Sequence, residues 1–215
     1  MDQQIVQFSL IADGGPFVWL LLLIFAFGLV FIVERIVFLH RAQINATMFV
    51  EGICNNLKGG RLMEALTVCE NTPGPVSRVL KTILLHSAES ESRMRIAAEE
   101  AAMLEIPVLQ RRTTSLSTLA RLAPLVGLAG TVFALLRAFF LMKSAGYYAT
   151  ADLFSGDIAS ALTATGLGLV IAIVFYLAHA FIIGRIGNIV NDIESSAIAL
   201  IRFIIYENKQ SQNDA

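Results

Sequence analysis

The chain has 215 residues, 56% of them hydrophobic and only 15% charged, with a formal net charge of −1 and a mean hydropathy of +0.68. A soluble domain of this length closes its core with far less apolar material, so composition excludes an ordinary soluble domain and predicts an all-α integral membrane protein. Cys54 and Cys69 show no CxxC spacing and no clustered His, which argues against a zinc site and for two reduced thiols.

Residues 1–15 form a short lead ending in Asp-Gly-Gly-Pro, a break that frees the next segment to start a helix. Asp2 and Asp13 precede the first apolar run and no Lys or Arg does, the reverse of a secretory leader. No charge appears from Pro16 to Val33. About 20 such residues cross a bilayer, so residues 16–39 are expected to be the first transmembrane helix. Glu34, Arg35, His40 and Arg41 come at its end, at headgroup depth.

Residues 40–118 change character. Ten of the sixteen Lys and Arg lie between Arg41 and Arg121, whereas residues 1–15 have none, so the positive-inside rule places this region in the cytoplasm. Gly59-Gly60 and Thr72-Pro73-Gly74-Pro75 punctuate it, predicting several helices joined by tight turns. Ser90 to Arg121 is rich in helix formers and is expected to run straight into the next membrane helix, bent at Pro107. Glu99, Glu100 and Glu105, like Glu34-Arg35 and Arg111-Arg112, read first as interface or solvated-helix charges, and second as subunit contacts or sites of cytoplasmic regulation.

Two apolar runs follow, at 119–142 and 155–184, joined by a short loop at 143–154 with Tyr147 and Tyr148 suited to a membrane interface. On a helix, Gly127, Thr131, Ala134 and Ala138 share one face, and Asp157, Ala161, Thr165, Gly168, Ala172, Tyr176 and His179 share another. Small residues let membrane helices approach, and hydroxyls can bond across the gap, so the pair reads as the wall of a pathway or a socket for another helix. Beyond Arg185, Ile186, Ile189, Val190, Ile193, Ala197, Leu200, Ile201 and Ile204 keep helical spacing, so residues 185–215 are a cytoplasmic helix and tail rather than a further crossing. The topology is three crossings, N-terminus outside and C-terminus inside.

At Ala123–Val132, which reads APLVGLAGTV, and at ASALTATGLGLVIAI in the third run, the sequence resembles the MotA/TolQ/ExbB proton channel family, nearest the ExbB and TolQ branch. The resemblance implies a homo-oligomeric, pentameric ring in a bacterial inner (cytoplasmic) membrane. It would surround the single membrane helices of ExbD- or TolR-type partners and use the proton motive force for TonB-dependent transport or TolA-linked outer-membrane maintenance. Thr131 and Thr165 match the family threonines that face the pore. Ser160 stands where many members carry glutamate, Val174 where a proline is usual, His179 where an asparagine aligns, and Arg137 where small residues are common.

A proton relay through a membrane normally needs Asp, Glu or His, and none occurs in Leu122–Leu136 or Ile158–Ala178. Thr131, Ser160, Thr163 and Thr165 can order water but cannot hold a charge at ordinary pH, so the titrating group is expected from a partner helix. The alternative for both threonines is a bond to their own helix backbone, and Ser160 reads equally as inert. Gly127, Gly130, Gly166 and Gly168, with Pro124, read as helix packing. Asp157 reads first as a cap on the third helix and second as an entry acid. Arg137 reads first as snorkelling outward, and second as paired with Asp152, Asp157 or a partner's carboxylate. His179 is a packed or interfacial residue, or a relay. Cofactors, metals and nucleic acid are not expected. The rival functions are a scaffold ring without ion flux, a substrate transporter, which lacks a midplane charged site and internal repeats, and an enzyme, which lacks any nucleophile–base pair.

Overall fold

A computed structural model describes the backbone of residues 15–148 and 151–213. Most of the lead at 1–15 and the centre of the loop at 143–154 therefore lie outside the described residues. Among the described residues the chain forms seven α-helices: α1 (Gly15–Ala42), α2 (Ala46–Lys58), α3 (Leu62–Asn71), α4 (Pro75–Leu85), α5 (Glu91–Gln110), α6 (Thr113–Ala145) and α7 (Ala151–Asn213). A single 3-10 turn at Gly146–Tyr148 follows α6. Among the described residues three helical stretches are long and apolar enough to cross a membrane: Gly15–Lys58, which holds α1, Glu91–Ala145, which holds α6, and Phe154–Glu207 within α7. At 1.5 Å per residue, the 28 residues of α1 span about 42 Å, enough for the hydrocarbon core and part of both interfaces.

The chain divides into two compact units, one of Arg112–Phe181 with the described part of Met1–Glu34, the other of Arg35–Arg111 with Ile182–Ala215. In the first unit, packing uses small residues and a few large ones: Val18, Leu21, Ala120, Ala123, Ala161, Ala164, Ile171 and Phe175 are buried. Trp19, Phe27, Leu125, Phe139, Leu162 and Leu177 point away from the unit and stay exposed. In water such a surface would be untenable; against lipid tails it is the expected one.

The second unit is built like a soluble bundle. Asn45 caps α2 by accepting from the Met48 amide, and Gly59-Gly60 ends that helix, with Gly60 at φ +69°, a conformation glycine adopts without steric cost. Thr72 turns the chain after α3 by donating to the Val68 carbonyl. Pro75 then opens α4, where a missing N–H is harmless. The fully buried Ser77 hydroxyl donates to the carbonyls of Thr72 and Gly74 at 2.6 and 2.9 Å, fixing that turn. Ile53, Leu80, Ile83, Leu84, Met94, Ile193 and Leu200 form the core. The helical spacing read after Arg185 is borne out: Ile186, Ile189, Ile193, Ala197, Leu200, Ile201 and Ile204 are all buried, and Val190 is half-buried.

Two local expectations are corrected. The helix beginning at Glu91 does not run into the membrane helix with a bend at Pro107; Pro107 sits inside α5, and the helix stops at Gln110. Arg112 adopts φ +65°, a left-handed conformation costly for a side chain with a Cβ, and its guanidinium is paired with Glu34. Arg35 is not a solvated interfacial charge either: it is 5% exposed, with its guanidinium 5.2 Å from the centre of the Phe38 ring. Glu105 is only 16% exposed and holds Arg78 by two hydrogen bonds of 2.5 and 2.6 Å, linking α4 to α5. That bond raises the Arg78 pKa further above its ordinary value, against the opposing effect of burial.

The cysteines behave as packing residues. Burial pushes the Cys69 thiol up to about 11, with Lys81 opposing weakly, and burial likewise raises Cys54. Because the thiolate is the reactive form, Cys69 in the folded protein is expected to alkylate at least tenfold more slowly at pH 8 than after denaturation. Mass-resolved labelling with iodoacetamide measures this, and equal rates in the two states would contradict the burial. The same raised pKa favours the protonated thiol in the folded state. Its contribution to stability is therefore complete below the usual value of 9.0 and lost as pH climbs toward about 11.

Candidate functional site: the wall formed by α6 and α7

Where α6 crosses α7 the two backbones nearly touch. A Cβ on Gly127 would lie 2.9 Å from the Ala164 carbonyl oxygen, and one on Gly168 would lie 2.8 Å from that of Ala123 and 3.1 Å from the Gly127 Cα. Neither position admits a side chain without moving main chain. Gly130 is nearly as tight, its Cβ position lying 2.9 Å from the Ala164 Cβ and 3.1 Å from that of Phe17 on α1. Pro124 lies within α6 and is half-buried; lacking an N–H, it withdraws the donor that the Ala120 carbonyl would otherwise use, and so loosens the helix one turn before Gly127. Gly166 differs from its neighbours, since a Cβ there meets nothing within 4 Å. Within this chain it packs against no other helix and lies on the open face of α7.

The hydroxyls divide by partner. Thr165 donates across the crossing to the Gly127 carbonyl at 3.3 Å, a bond possible only because glycine lets the backbones close. Thr131 bonds back to Leu128 in its own helix at 2.6 Å, and Thr163 to Ala159 at 2.8 Å, as membrane threonines often do. Both remain half-buried on the rim of the contact. Ser160 is 8% exposed on the buried side of α7. The stripe predicted on α7 holds at Asp157, Ala161, Gly168 and Ala172, which are buried, and fails at Tyr176, which is half exposed. The buried line turns instead through Ala164, Ile171 and Phe175.

Among the described residues one carboxylate, Asp157, stands beside this wall, and it is engaged. Asp157 is 5% exposed and its Oδ1 accepts from Arg137 Nε at 2.7 Å and from Nη2 of the same guanidinium. Since α7 begins at Ala151, Asp157 is inside the helix rather than at its end, and the capping reading is corrected. Arg137 turns to Asp157 instead of snorkelling, because a buried carboxylate needs a charge partner more than the guanidinium, itself largely exposed, needs solvent. The side chain of Asp152, the other partner considered, lies outside the described residues. His179 is half-buried further along α7; fourteen residues of helix put it about 21 Å from Thr165, so it does not join the threonine cluster. Among the described residues, no group of His, Cys, Asp and Glu is arranged to hold a metal.

Two contributors to the wall were not read from the sequence. Phe17 stacks on Phe133, ring centres 5.1 Å apart, and covers Gly130. Gly28 on α1 admits the Phe175 ring, which would lie 2.1 Å from a Cβ there. A lone glycine in an unbroken run of large apolar residues was the available signal for the second.

Residues 71–195, more than half of the chain, match the family model described as the MotA/TolQ/ExbB proton channel family. The chain belongs to that family. Relatives place it in the ExbB/TolQ branch. It is 26% identical over 183 residues to a biopolymer transport ExbB homolog of Methanothermobacter thermautotrophicus, covering 85% of this chain and 64% of the relative. It is 34% identical over 87 residues to the biopolymer transport protein ExbB of Aquifex aeolicus, 40% of this chain and 58% of that one. A third relative, the Tol-Pal system protein TolQ of Haemophilus influenzae, is 36% identical over 88 residues, 41% of this chain and 38% of its own length. The chain thus spans just under two thirds of the first relative. With three helices able to cross a bilayer, this family member is a multi-pass inner-membrane protein.

Proposed function

We propose that this chain is the proton-channel subunit of an ExbB–ExbD- or TolQ–TolR-type motor. It couples the proton motive force, through a partner with one transmembrane helix, to TonB-dependent transport or to TolA-linked maintenance of the outer membrane. The observation that carries the proposal is chemical: the α6/α7 wall offers hydroxyls at Thr131, Thr163 and Thr165, while the one carboxylate among its described residues, Asp157, is bound to Arg137. Hydroxyls order water but carry no charge, so the wall is half of a relay and the partner helix brings the acid.

The orientation that fits is N-terminus outside and C-terminus inside, with residues 40–118 and 185–215 in the cytoplasm, because ten of the sixteen Lys and Arg lie between Arg41 and Arg121. Segments 16–39, 119–142 and 155–184 are the crossings, and copies of the last two line a pentameric ring whose centre receives the partner helices. The exposed apolar faces of α6 and α7 supply the surface for that ring and its lipid. Co-expression with a single-span ExbD- or TolR-type protein, followed by mild detergent extraction and native mass measurement, tests the assembly. A mass of five copies with partner attached is expected; a stable monomer, or a ring that never retains the partner, would contradict it.

A further inference from the structure

A cleft of about 430 Å³ opens in the first unit beside the ion pair, where the N-terminal turn of α1 meets α6 and α7. Its polar lining is Arg137 and Ser160, and its apolar lining includes Pro16, Phe17, Phe133 and Phe140. Asp157 is absent from the lining: the cleft meets the guanidinium and not the buried carboxylate behind it. Arg137 spends Nε and Nη2 on Asp157, yet a guanidinium carries five N–H donors, and its side chain remains 64% exposed. Ser160 is nine-tenths buried and has no hydrogen-bond partner among the described residues, so its hydroxyl is available at the same opening. The first turn of α1 holds no acidic residue, and the start of a helix favours negative charge.

We propose that this cleft binds the phosphodiester of a membrane glycerophospholipid, with one acyl chain lying along the Phe17, Phe133 and Phe140 surface. The donor set suits phosphate oxygens, for which arginine is well shaped. The apolar walls suit an acyl chain, which a bilayer around α6 would supply. Phe133 is 58% and Phe140 69% exposed, so the cleft is open to lipid. This occupancy is independent of whether protons flow. A bound lipid would anchor α1, α6 and α7 to one another at their shared end, and would keep water from the Arg137–Asp157 pair.

Native mass spectrometry of the delipidated full-length protein, titrated with phosphatidylglycerol or with diacylglycerol of the same acyl chains, tests the proposal. Phosphatidylglycerol is expected to be retained about tenfold more tightly, the discrimination of one or two charge-assisted hydrogen bonds. Arg137→Gln should remove that preference, Ser160→Ala should reduce it, and Asp157→Asn, which removes the negative charge that competes for Arg137, should increase it. Ser160→Ala and Asp157→Asn keep the guanidinium, so they read the site even if Arg137→Gln folds poorly. Equal retention of the two lipids would overturn the proposal, as would an unchanged preference in Ser160→Ala together with Asp157→Asn.

Discussion

Gly168→Ala is expected to destabilise the protein by about 1–3 kcal/mol, the usual cost of overpacking a close contact, although the same substitution in an open helix position is favourable. The added methyl would lie 2.8 Å from the Ala123 carbonyl and 3.1 Å from the Gly127 Cα. Both are main-chain atoms, so relief requires α6 and α7 to separate. Separation also stretches the 3.3 Å bond from Thr165 to the Gly127 carbonyl, which ties stability to the geometry of the wall. Gly166→Ala, two residues earlier on the same helix, meets nothing within 4 Å and should be neutral or stabilising by up to about 1 kcal/mol, the helix propensity difference between the two residues. Thermal unfolding of the detergent-solubilised protein, followed by helical circular dichroism, compares them. Equal effects of the two substitutions would contradict the close crossing.

The second large effect is asymmetric. Arg137→Gln leaves the Asp157 carboxylate, only 5% exposed, without its cation. Removing one partner of a buried pair costs about 3–5 kcal/mol, and the low end applies because the guanidinium itself is 64% exposed. Asp157→Asn leaves an exposed cation and a buried but hydrogen-bonding amide, so it should cost markedly less. The double substitution should be milder than Arg137→Gln alone, since the stranded charge is gone. A double-mutant cycle on unfolding temperatures measures this ordering. If Asp157→Asn proved the more damaging of the two, the pair would not be arranged as described.

Where the sequence carried a periodic signal, most of it is visible in the structure, though the stripe on α7 departs from it at Tyr176. Gly127 and Gly130 on α6 and Gly168 on α7 stand among bulky neighbours, and all three lie at the close crossing. The apolar positions after Arg185 are the buried face of α7. Single positions were less legible. Nothing in the local sequence distinguishes Gly166 from Gly168, because which of the two faces α6 is set by the rotation of α7, a tertiary property. The break between Gln110 and Thr113 has no glycine or proline at its left-handed residue; it rests on Arg112, whose charge finds Glu34, seventy-eight positions away in the chain. Proximity to the start of a helix suggested a cap at Asp157, but α7 extends upstream to Ala151, and the partner that decides its role sits on α6. Arg35 is the same lesson with the opposite sign, a charge at the end of an apolar run that folds inward against Phe38.

Reconstitution decides the central claim, that this wall guides protons but does not carry them. Vesicles containing the chain alone, with an internal pH dye and an imposed potential, are predicted to show no proton flux above protein-free vesicles. Adding the proposed single-span partner should open a flux that is lost when the acid on its membrane helix is replaced by the corresponding amide. Robust flux from the chain alone, persisting after Asp157→Asn and His179→Ala, would mean that its own hydroxyls and water suffice, and the account would be wrong.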